Sequence, residues 1–143
     1  MRKISLVAAA ITVATCTAGG IAWSDETPEP VKLMDRWQHA AEQPGNFSIT
    51  SHDGLQDLKW TRWGQEEAVA HGTLVLNPCE PDCAGAPPQY YPDATLRVDQ
   101  VREVGDGNYY SRYTVTADGL PPEKADQLAN QPANLPEDVA VRY

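Results

Sequence analysis

Two alternating arms joined by a glycine-rich connection constrain this chain more than any other feature. Residues 95–104 and 108–117 flank Gly105-Asp106-Gly107, and so short a connection, built from residues that accept positive φ, folds a chain back as a β-hairpin. On the second arm Tyr109, Ser111, Tyr113, Val115 and Ala117 share one face, opposite Tyr110, Arg112, Thr114 and Thr116. On the first arm Leu96 and Val98 keep phase while Val101 falls out of step, which predicts a bulge near Asp99 or Gln100.

The same period of two recurs upstream. Residues 68–77 (AVAHGTLVLN) set Ala70, Gly72, Leu74 and Leu76 against Val69, His71, Thr73 and Val75, apolar enough on both faces for a central strand. Phe47, Ile49 and Ser51 predict a first short strand, Leu58 with Trp60 a second, and Val139, Val141 and Tyr143 a closing one. Residues 121–130 read as a short helix or a few turns, and 132–138 as loop. The 143 residues leave room for one core, and 12 prolines favour loops over long helices. The expected domain, 46–143, is mainly β, a small antiparallel β-sandwich or barrel of five to six strands. Ahead of it 25–45 divides into a polar tether (DETPEP) and a short N-terminal helix. Leu33, Trp37 and Ala40 at i, i+4 and i+7 predict that amphipathic helix over 31–42, ended by Pro44-Gly45.

The amino end has the layout of a secretory signal over residues 1–24. Arg2 and Lys3 precede an apolar run at 4–14, and Ala22-Trp23-Ser24 offers small residues at the two positions that signal peptidase reads before Asp25. Two rival fates are lipid attachment at Cys16, where Thr15 fits a lipobox poorly, and retention of 4–23 as a membrane anchor. Cleavage leaves no membrane span and a secreted or extracellular protein. It also leaves two of the three cysteines, Cys79 and Cys83, which an oxidising space joins as a disulfide across the turn-forming Glu80-Pro81-Asp82. So short a ring contributes about 2 kcal/mol and pins a loop rather than a domain.

Charge excludes partners. The chain carries 11 basic and 20 acidic residues, a net of -9, and loss of 1–24 removes two bases and no acid, which brings the net to -11. Nucleic acid and anionic lipid are repelled by such a surface, whereas solubility outside the cell is served by it.

Trp60-Thr61-Arg62-Trp63-Gly64, Ala70-His71-Gly72, Cys79-Glu80-Pro81-Asp82-Cys83-Ala84-Gly85 and the tyrosine-rich stretch 108–116 form a set. In this set the chain resembles a group of small secreted proteins of unknown function from high-GC Gram-positive bacteria, over roughly the central two thirds of the mature chain. The resemblance implies export and an all-β domain, and carries no activity with it.

No stretch specifies a reaction. G-x-S-x-G is absent, and Ser51-His52-Asp53 are neighbours whose side chains diverge on a strand. His52, Asp53 and His71 are conceivable metal ligands but lack H-x-x-x-H spacing, so neither metal nor cofactor is expected. Asp57, Glu66 and Glu67 supply carboxylates with nothing to fix their separation. The aromatic residues carry the binding expectation. Trp60 and Trp63 point to opposite faces of a strand, and an outward Trp63 with Tyr90, Tyr91, Tyr109 and Tyr110 makes a platform on which a sugar ring stacks. The function expected is non-enzymatic binding at the cell envelope, to a cell-wall polysaccharide or an envelope protein. The alternative is a small secreted hydrolase using His71 with a nearby carboxylate or Ser.

Overall fold

The computed structural model describes residues 30–78, 82, 84–105 and 107–136. The expected signal segment with Cys16, most of the expected tether, the expected Cys79–Cys83 disulfide and the expected closing strand at 139–143 lie outside the described residues.

Among the described residues the elements follow in the order β1 (Val31–Met34), β2 (Ala40–Ala41), β3 (Phe47–Ser48), β4 (Gly54–Arg62), β5 (Glu67–Leu76), β6 (Gln89–Val104), β7 (Gly107–Thr116), α1 (Pro122–Gln127) and β8 (Gln131–Pro132). They form a single sheet in the order β2-β1-β7-β6-β5-β4-β3, with β8 on β7, curled into an open half-barrel. The protein is thus mainly β, but with more than five to six strands and with one sheet rather than the two of a sandwich. One parallel pair, Val31 with Asn108 and Lys32 with Tyr109, makes the sheet mixed. Past β1, Arg36 N donates to Ser48 O at 3.2 Å, a backbone bond between the two ends of the sheet.

The N-terminal helix is not formed. Residues 31–42 hold β1, a tight turn and β2, with Leu33 opposite Ala41 and Met34 opposite Ala40. A helix would have buried Leu33, Trp37 and Ala40. Instead Val31, Leu33 and Met34 are buried, and Trp37 is 54% exposed. The Asp35 carboxylate decides the turn, since its Oδ1 accepts from Trp37 N at 2.8 Å and His39 N at 2.9 Å, an Asx-type alternative to helical bonding. Gln38 then takes φ +67.

The two long hairpins follow the alternation. On β5 Ala68, Ala70, Leu74 and Leu76 are buried, facing Ala94, Leu96 and Val98 of β6. β6 begins at Gln89, six residues before the expected start, because an irregularity opposite Gly72–Leu74 absorbs Pro92 and lets pairing continue. Between β6 and β7 the expected bulge does not insert an extra residue; the irregularity is Gln100 itself, at φ +54. Pairing runs in one register on both sides of it, with Asp99 opposite Arg112 and Val101 opposite Tyr110. Buried positions on β7 therefore step from Val115 and Tyr113 to Tyr110, three residues on. Tyr110 joins the core that alternation alone would have denied it. Ser111 donates its hydroxyl to Gln100 O at 2.6 Å and fixes this kink.

α1 starts on Pro122, where a missing N–H is harmless. It delivers Leu128 to the core, and Leu128 O accepts from Val115 N at 2.9 Å. Gln131, together with Pro132 at the start of the expected loop, pairs with Tyr113 and Arg112 as β8.

Candidate functional site

At one end of the sheet, residues 63–66 turn from β4 into β5. Gly64 takes φ +83, a conformation that favours glycine. The Tyr110 hydroxyl holds the turn from beneath, accepting from Gly64 N at 3.0 Å and donating to Gln65 O at 2.7 Å. Burial raises the Tyr110 pKa, opposed by the Gly64 bond, so the phenol keeps the proton it donates. Trp63 rests edge-on against Trp60, centroids 4.5 Å apart, and against Tyr110 at 5.2 Å. Trp60 is tethered in turn by Nε1 donating to Pro44 O at 2.9 Å. Trp63 is half-buried, and the one polar atom of its side chain, Nε1, is fully buried without a hydrogen-bond partner among the described residues. What the Trp63 side chain shows to solvent is therefore carbon alone.

That carbon surface lines a shallow groove of about 720 Å³ with Val31, Glu42, Gln65, Glu66, Val101 and Asn108. The groove draws on β1, the residue after β2, the β4–β5 turn, β6 and β7; the β1–β7 pairing adds the first two segments to the other three. Glu66 and Val101 also line an adjoining hollow of about 540 Å³ with Glu67, Asp99 and Gln100. Two of the acids here are neutralised. Arg112 makes a two-pronged contact with Asp99, 2.7 Å on each prong, and Glu67 lies 3.9 Å from both Arg62 and Arg97. The Arg112 hydrogen bonds hold the Asp99 carboxyl below its ordinary 3.8, against a smaller opposing effect of burial. Among the described residues, Glu42 and Glu66 have no ion-pair partner.

The expected aromatic platform is not one surface. Tyr110 is completely buried and positions the turn rather than meeting a ligand. Tyr109 lies back over Gly107, its ring within 3.2 Å of where a Cβ would stand. Tyr90, 59% exposed, and half-buried Tyr91 pair with Val75 and Leu74. Nine residue steps along β6 take the chain from Tyr90 to Asp99, roughly 30 Å at about 3.3 Å per step. Trp63 and Tyr110 are brought together, and Tyr90 and Tyr91 are not.

His71 stands exposed on β5, its Nδ1 3.2 Å from the Thr95 hydroxyl, in a shallow hollow of about 410 Å³ that Asp57, Lys59 and Asp93 also line. His52 and Asp53 sit elsewhere. They brace Asn77, whose N donates to Asp53 Oδ1 at 2.9 Å and whose side-chain amide donates to His52 O. Among the described residues no three His, Cys, Asp or Glu side chains cluster closely enough to hold a metal ion. Asp57 faces the His71 hollow, and Glu66 and Glu67 the other end of β5, so these three acids do not converge.

Glu42, Gln65 and Asn108 escaped the sequence reading: Glu42 and Asn108 reach Trp63 only through the pairing of distant strands, and Gln65, two residues along the same turn, carries no signal by residue type. Fold and groove define a small, mainly β domain with a surface site of aromatic carbon and carboxamide and carboxylate groups. No protein-family model, curated protein or solved structure matches the chain.

Proposed function

We propose that this is an exported, non-catalytic β domain that binds a saccharide of the cell envelope through the Trp63 groove. One observation carries the reading: an indole held from below by Tyr110 presents only carbon, beside Gln65, Glu42, Glu66 and Asn108. The C–H face of a sugar ring packs on aromatic carbon, and planar amide and carboxylate groups bond neighbouring hydroxyls. A turn fixed in advance spares ordering entropy on binding. Export by residues 1–24, oxidation of Cys79 and Cys83, and kinship with small secreted proteins of high-GC Gram-positive bacteria belong to the same proposal. The test is retention of the purified protein on cell-wall polysaccharide. Wild type is expected to be retained and Trp63→Ala to be released, whereas equal retention of both, or none, refutes the groove.

A hydrolase centred on His71 is the second reading, favoured by Asp57 and Asp93 lining the same hollow. It requires wild type to turn over some ester, glycoside or peptide in a broad screen, and His71→Ala to lose that turnover.

A further inference from the structure

The groove has a sign. Its lining, together with that of the adjoining hollow, includes four carboxylates and neither lysine nor arginine. Arg62, Arg97 and Arg112 reach in from outside and neutralise Glu67 and Asp99. Glu42 and Glu66, both exposed, line the groove with Trp63 and have no cationic partner among the described residues. Acidic sugars and phosphate-bearing wall polymers are repelled by such a rim, on a chain whose net charge is already -9. A neutral sugar gains only hydrogen bonds from it. A cation beside aromatic carbon gains both from the carboxylates and from the ring.

We infer that the groove selects amino sugars with a free amine: the pyranose ring stacks on Trp63 while the protonated amine meets Glu42 and Glu66. This rests on the saccharide reading above and adds the chemical class. Two exposed, partly screened contacts predict a preference of about tenfold, which weakens as salt shortens the range of the charges.

The experiment titrates the purified protein at pH 6 with glucosamine oligosaccharides, N-acetylglucosamine oligosaccharides of equal length, and pentalysine, following tryptophan fluorescence. The expected result is about tenfold tighter binding of the free-amine oligosaccharide, with the preference abolished in the Glu42→Gln/Glu66→Gln double variant and in high salt. Both glutamates are exposed, so the double variant keeps the fold, and a melting curve verifies this. Equal affinity for both oligosaccharides in wild type overturns the amino-sugar inference and leaves saccharide binding standing. Pentalysine binding as tightly as the free-amine sugar overturns it in favour of a basic peptide. Failure of both oligosaccharides to bind overturns it too, and retention on cell-wall polysaccharide then decides separately whether the saccharide reading survives.

Discussion

Tyr110 fills two roles from one buried position, its ring packing on Trp63 and its hydroxyl spanning Gly64 and Gln65. Tyr110→Phe keeps the ring and strands both backbone groups. We expect a loss of about 1–3 kcal/mol in urea unfolding, together with a changed near-UV tryptophan signal as the turn loosens. Gly72 is a tighter constraint. A Cβ there would lie 2.6 Å from Gln56 O and 3.0 Å from Leu58 Cδ2, beside the β4 irregularity where Asp57 takes φ +55. Gly72→Ala is expected to cost about 1–3 kcal/mol by overpacking. Gly45→Ala, with open space around it, is expected to change stability by less than about 0.5 kcal/mol. For Asp99 the sign follows from its lowered pKa. A depressed carboxylate contributes stability that is present above its unfolded value and lost as pH falls through the folded one. The melting temperature should therefore drop on acidification below about pH 4, and Asp99→Asn should lack that part of the drop.

Elements divide by whether their cause is local. The β6–β7 hairpin and central β5 were legible, because alternation and a Gly-rich turn are properties of neighbouring residues. α1 falls within 121–130, where a short helix or a few turns were expected. The segment 31–42 was not. Leu33, Trp37 and Ala40 match a helix, and Val31 and Leu33 match a strand equally well, so periodicity over so few residues cannot arbitrate. The decision came from Asp35 closing a turn and from β7 offering a parallel edge 75 or more residues away. Asp35→Ala should then loosen β1–β2 alone. Hydrogen exchange is expected to show faster exchange at 33–41 with β5 and β6 unchanged, and a global loss of protection would show that the turn supports the whole sheet.

At the scale of the molecule, only half of the site was readable. Trp63 stood out by type, but Glu42 and Asn108 are unremarkable until the sheet sets them beside it, and Gln65 shares its turn without any mark of its own. Tyr90 and Tyr91 were grouped with Trp63 by chemistry, and the length of β6 separates them. The proposed journey out of the cytoplasm makes its own prediction: intact mass of natural material should correspond to a chain starting at Asp25, two hydrogens lighter for a Cys79–Cys83 bond. The central claim, that ligand meets this chain at the Trp63 groove, is tested most directly by amide and indole NMR shifts during titration with glucosamine oligosaccharides. The account predicts saturable shifts confined to residues 63–66 with Glu42, Val101 and Asn108. Shifts centred on His71 and Thr95, or none at saturating sugar, would contradict it.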